Sequence, residues 1–128
     1  MILLDTHTLL WAFFQKNNLP EHTRNIIEEA ETVYVSVASL WEIAIKQSIG
    51  KLDLNCTIAD IVQICNEEGI EILQITAQHL DQIKQLPSPH NDPFDRLIIS
   101  QAMVEDLTII SKDRFFDKYD IKLVWENE

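Results

Sequence analysis

Between Asp92 and Val104 the chain reads DPFDRLIISQAMV, and this run restricts the possible folds more than any other. Asp92 suits a helix N-cap, Pro93 the first helical position and Asp95 the third, near the positive end of the helix dipole. Past Arg96 the run is dominated by Leu97, Ile98, Ile99, Ala102, Met103 and Val104, so the helix has to be covered on most of its sides. A buried helix whose first turn carries two carboxylates and an arginine is either well capped or part of a site.

What covers that helix follows from the rest of the pattern. Short apolar or β-branched runs at 2–4, 32–36, 70–75, 107–110 and 121–124 read as strands. Between them lie helical stretches at 6–14, from Leu19-Pro20-Glu21 onward, at 37–49 closed by Gly50, at 57–68 closed by Gly69, and at 76–86 stopped by Pro87 and Pro89. Thr57 and Asp60 form a capping pair, and a helical turn is expected at 114–119. Strands that alternate with helices predict a three-layer α/β/α sandwich around a mainly parallel sheet, buried on both faces. The 128 residues are enough for a real core and fit one domain, 1–128.

Charge narrows the function classes. Twenty-one acidic residues against ten basic ones give a formal net charge of −11, which argues against a broad phosphate-binding face. An acidic chain still acts on nucleic acid where metal cations bring the positive charge. Cys56 and Cys65 have neither CxxC spacing nor a histidine cluster beside them, and read as buried thiols of a cytoplasmic protein. The opening apolar run stops at Asp5, so neither a signal peptide nor a membrane span is expected. Phosphate-cradling glycine motifs are absent, and Ser36 and Ser39 lack the partners of a serine nucleophile. Trp11, Trp41 and Trp125 are read as core residues.

Ligands of open parallel sheets bind outside the carboxyl ends of the strands. By connectivity Asp5, Glu42 and Asp113 fall at that edge; the placement of Asp95, which starts the helix running into the fourth strand, is less automatic. Each acid also has a plain structural role. Ser39 and Glu42 match the capping box S-x-x-E, Asp92 and Asp95 cap and charge their helix, and Asp113 caps the following turn. Asp5 carries no capping demand that Thr6 next door could not meet. Taken together, acids converging with few lysines nearby would repel unless a cation is present, and oxygen-only ligands suit Mg²⁺ or Mn²⁺.

The segments ILLDTHTLLW, VSVASLWEIAIK, HNDPFDRLIISQA and LTIISKDRFFDKY span nearly the whole chain, and in this order they resemble the PIN-domain family, specifically its VapC-type toxins in the HxDPFDR branch. The resemblance implies a parallel-sheet α/β/α sandwich, Mg²⁺-dependent cleavage of RNA, a homodimer, and inhibition by a small antitoxin. It maps the family's acidic quartet onto Asp5, Glu42, Asp95 and Asp113 as catalytic metal ligands, with Asp92 an extra acid. Thr6, Arg96, Lys112 and Arg114 are candidate substrate contacts, Arg96 being equally suited to an ion pair with Asp92. His7 and His90 flank the expected site. Two alternatives stand beside this. Asp5-Thr6-His7-Thr8-Leu9 partly echoes the D-x-D-x-T loop of haloacid-dehalogenase-like phosphatases, with His7 where the second aspartate belongs. A non-catalytic binding module whose acids are all helix caps is the other.

Overall fold

The computed structural model describes residues 1–87 and 92–125. Five strands form one parallel sheet: β1 (Ile2–Leu4), β2 (Val33–Ser36), β3 (Glu71–Leu73), β4 (Thr108–Ile110) and β5 (Lys122–Val124), in the order β3-β2-β1-β4-β5. β1 is central. Its Ile2, Leu3 and Leu4 pair with Val33, Tyr34 and Val35 on one side and with Thr108, Ile109 and Ile110 on the other. Six helices join the strands: α1 (Thr6–Phe14), α2 (Glu21–Glu29), α3 (Val37–Ser48), α4 (Ile58–Glu67), α5 (Ala77–Gln85) and α6 (Pro93–Glu105).

Strand side chains alternate between faces, and the two cores follow that alternation. Ile2, Leu4, Val33, Val35 and Ile110 pack with Leu9, Leu40, Ile43 and Ile61 from α1, α3 and α4. Leu3 and Ile109 point the other way, into Leu97, Ile98, Ile99 and Ala102 of α6 together with Leu86 and Phe116. This is the three-layer sandwich expected from the alternation of strands and helices. It also explains why the strands read as unbroken apolar runs: both faces are covered. Among the described residues no helix is long and apolar enough to cross a membrane.

α6 opens as its sequence dictates. Asp92 Oδ1 accepts the backbone N–H groups of Phe94 at 2.9 Å and Asp95 at 3.0 Å, with Pro93 in the first turn. Residues 97–102 are all buried. The Thr57–Asp60 capping box also forms. β3 is shorter than the run 70–75 suggested, because both of its ends are claimed by helices. Ile70 N donates to Cys65 O at 2.8 Å, finishing α4 around Gly69 at φ +71, and Thr76 caps α5. Trp41 departs from expectation: it is 54% exposed, on the outer side of α3, and meets Phe94 edge to face at 5.0 Å. Cys56 is half-buried and Cys65 buried; neither is in a disulfide.

Candidate active site

The strand order reverses between β1 and β4: from β1 the chain builds outward through β2 and β3, then crosses to β4 on the other side. A crevice outside the carboxyl ends of the strands is expected at such a point. Asp5 leaves β1 there, and Ser111 leaves β4 at the same level, since Leu4 pairs with Ile110. Asp5 is only 6% exposed. Its Oδ1 accepts the Thr8 N–H at 2.9 Å and its Oδ2 accepts the Ser111 hydroxyl at 2.5 Å. Asp5 is therefore the N-cap of α1, against the expectation that Thr6 could take that role; Thr6 is turned elsewhere. Burial raises the Asp5 carboxyl above the ordinary aspartate range, and the bonds from Ser111 and Thr8 oppose the rise. Ser111 Oγ also accepts the Asp113 N–H at 3.0 Å, so one hydroxyl ties Asp5 to the backbone of Asp113.

Glu42 comes to the same edge by a different route. α3 begins with Ser36 as its N-cap, whose hydroxyl accepts the Ala38 N–H at 3.0 Å. Ser39 therefore lies inside the helix, and the expected Ser39–Glu42 capping box is replaced by other partners. Glu42 Oε1 accepts the Thr6 hydroxyl at 2.7 Å, Thr6 Oγ1 lies 2.9 Å from Ser39 Oγ, and Glu42 Oε2 pairs with Lys46 at 2.8 Å. Thr6 thus fastens the exit of β1 to α3. The hydrogen bond to Glu42 raises Lys46 above the ordinary lysine range; partial burial opposes it, and the negative charges of Glu42, Asp92 and Asp95 add smaller contributions upward. The first turn of α6 and the middle of α3 thus share one electrostatic neighbourhood.

The remaining candidates are placed as follows. Asp113 is exposed and caps a short 3-10 helix (Arg114–Lys118), accepting the Phe115 N–H at 2.9 Å. Arg114 pairs with Asp117 at 2.9 Å, and Lys112 Nζ stands 5.5 Å from the centre of the Trp11 ring. The Arg96 guanidinium donates to the carbonyls of Pro87 at 2.9 Å and Ile83 at 3.2 Å, joining α6 to the end of α5. His7 is exposed and meets Trp11 edge to face at 5.0 Å; His90 lies outside the described residues. Asp5 and Asp113 are linked through Ser111, and Glu42 pairs with Lys46, whose ammonium also feels the charges of Asp92 and Asp95. Sequence reasoning missed Ser111 and Lys46. Their signals were a serine directly after a strand and a lysine four residues past a glutamate.

As donors, these carboxylates and hydroxyls suit a hard cation such as Mg²⁺ or Mn²⁺. Among the described residues no three of the His, Cys, Asp and Glu side chains stand together as a ready ion site. Positive charge beside Glu42 comes from the Lys46 ammonium, and the charges of Asp92 and Asp95 add to the preference for a cation there.

The family model of the PIN domain matches residues 2–122. The chain belongs to the PIN-domain family. This PIN chain is 27% identical over 114 residues to ribonuclease VapC22 of Mycobacterium tuberculosis, an alignment covering 88% of this chain and 87% of that protein. Among solved structures it is similar to a chain of VapBC2 from Rickettsia felis bound to a promoter DNA fragment. That match has a TM-score of 0.74 and 20% identity, over 98% of this chain and all of the other. It is also similar to a chain of FitAcB from Neisseria gonorrhoeae, with a TM-score of 0.67 and 21% identity over 96% of each chain. Membership in the PIN family displaces the phosphatase alternative, which lacked its second aspartate at His7.

Proposed function

We propose that this PIN chain is a metal-dependent endoribonuclease and the toxin of a toxin–antitoxin pair, with Asp5, Glu42, Asp95 and Asp113 as its working acids. The observation that carries the reading is Asp5, a nearly buried carboxylate at the switch point of the sheet whose ionised form burial disfavours. A purely structural N-cap has no need of that burial, whereas a ligand for a divalent cation gains from it. Similarity to ribonuclease VapC22 supports the reaction type, and the VapBC2 and FitAcB matches support the fold.

The chain's own residues divide the work. Asp5 and Asp95 would be the central ligands, and Glu42 and Asp113 would complete the shell directly or through water. When bound, Mg²⁺ lowers the pKa of a coordinated water and neutralises charge developing on the phosphodiester. Thr8 and Ser111 hold both oxygens of Asp5 in fixed directions, and each oxygen keeps a lone pair for a further partner. Thr6 orients Glu42, a part in which it touches a carboxylate instead of the substrate. Lys112 and Arg114, exposed beside Asp113, would meet phosphates flanking the cut. Arg96 already gives its guanidinium to two carbonyls, which makes it a brace for α6.

An acidic chain attracts RNA poorly, and its surface suits protein partners better. Trp41 and Ile45 of α3 and Ile49 just past its end are exposed at four-residue spacing, an apolar stripe that supports a homodimer or the docking of a basic antitoxin tail. The nuclease reading is tested by incubating the purified protein with a single-stranded RNA oligonucleotide and Mg²⁺, with and without EDTA. Cleavage that EDTA stops and added Mg²⁺ restores is expected. Cleavage that persists in EDTA, or none with Mg²⁺, contradicts the proposal.

A further inference from the structure

Gln101 is fully buried in the middle of α6, beside Ser100 and among apolar residues. A primary amide there is costly unless both of its ends are bonded, and a leucine would fill similar space without that cost. Both ends are bonded. The Ser36 hydroxyl donates to Gln101 Oε1 at 2.5 Å, and Gln101 Nε2 donates to the Gln74 carbonyl at 3.3 Å. Ser36 Oγ is the same atom that caps α3 by accepting the Ala38 N–H. One amide therefore joins three elements: α6, the first turn of α3, and the segment leaving β3.

The position of this joint gives it a consequence. Ser36 is the last residue of β2 and pairs with Leu73, the last of β3, so Gln101 sits level with the carboxyl ends of the strands. α6 runs on toward the start of β4, so its earlier residues lie beyond that edge. Asp95 is six residues before Gln101 on α6, and Glu42 is six residues after Ser36 on α3. At 1.5 Å per residue each acid stands about 9 Å along its helix from the joint. The two helices are tied together at this joint, and the Trp41–Phe94 ring contact joins them again beside the acids.

We infer that Gln101 is a positioning residue of this site, fixing the separation of Asp95 on α6 from Glu42 on α3 through its bond to Ser36. The inference rests on the reading of these acids as a metal site. Apolar replacement would let α6 slide against α3 while the second core stays filled, so the loss should appear in metal binding before it appears in folding.

The test uses Gln101→Leu, with Gln101→Met as the variant that keeps side-chain length if the first does not fold. Two readouts are taken well below the melting temperature: Trp41–Phe94 ring NOEs in EDTA, and Mn²⁺ affinity by calorimetry. The expected result is weakened or lost NOEs together with a roughly tenfold drop in Mn²⁺ affinity, in the range seen when groups that orient metal ligands are removed. Wild-type NOEs with wild-type Mn²⁺ affinity would overturn the role of Gln101 while leaving the site intact. A wild-type protein that takes up no Mn²⁺ would sink the site reading itself, and this role with it.

Discussion

Ser111 donates its hydroxyl to Asp5 Oδ2 at 2.5 Å, joining the residues that follow β1 and β4 across the point where the strand order reverses. The bond holds a carboxylate that burial disfavours in its charged form, and this fixes the sign of a pH effect. The Asp5 carboxyl binds its proton more tightly in the folded chain than in the unfolded one, because burial raises its pKa above the ordinary 3.8. Stability from this group is therefore fully present below 3.8 and is lost as pH rises through the raised folded value. Asp5→Asn removes that titration and keeps a good N-cap. Measured by thermal melts in EDTA from acid to neutral pH, the variant should gain on the wild type by a few degrees as pH rises. A difference independent of pH would contradict the account of Asp5.

Asp92 and Asp95 lie three residues apart and should separate cleanly. Asp92 caps α6 with two backbone bonds, so Asp92→Ala should cost about 1 kcal/mol and Asp92→Asn much less. Neither change should greatly reduce RNA cleavage. Asp95→Asn should reduce it by at least about 100-fold, as expected for loss of a metal ligand. Urea melts paired with single-turnover cleavage of one RNA distinguish the two; equal loss of activity in both asparagine variants would refute the division of roles.

Lys46 stands where a cation is favoured, so it should compete with a metal. Lys46→Met removes a helical i,i+4 pair and should cost about 0.3–0.5 kcal/mol in EDTA. The same change should tighten Mn²⁺ binding by roughly three- to tenfold, the size of one charge acting across a partly solvated site. Weaker Mn²⁺ binding would mean that Lys46 helps hold the acids together.

Most of the architecture was legible because strands buried on both faces leave unbroken apolar runs, and because Asp92, Pro93, Thr57 and Gly69 mark helix ends by local chemistry. Asp5 and Asp113 could be assigned to one edge by connectivity, since each follows a strand of a parallel sheet. α6 reaches that edge for the same reason in reverse: a helix that feeds the start of β4 must begin at the opposite end. Glu42 was misjudged locally. Ser36 and Ser39 are both serines able to cap, and the choice of Ser36 frees Glu42 for Thr6, a partner 36 residues away that spacing cannot reveal. His79 was passed over because a histidine is an unusual partner in a capping box and its second bond is tertiary. Buried, it accepts the Thr76 N–H on Nδ1 at 3.0 Å and reaches Glu105 with Nε2 at 2.7 Å. Trp41 looked like core because of its size, yet α3 turns it outward beside Phe94.

The central claim is that the acids at the carboxyl edge act together on a divalent cation. Its most direct test is calorimetric titration of Mn²⁺ into the wild type and into the Asp5→Asn, Asp95→Asn double variant, at one pH and ionic strength. Saturable uptake by the wild type that is lost in the double variant, with both proteins folded, is the predicted result. Equal Mn²⁺ binding by the two would show that the cation responds only to surface charge and that these acids are helix caps.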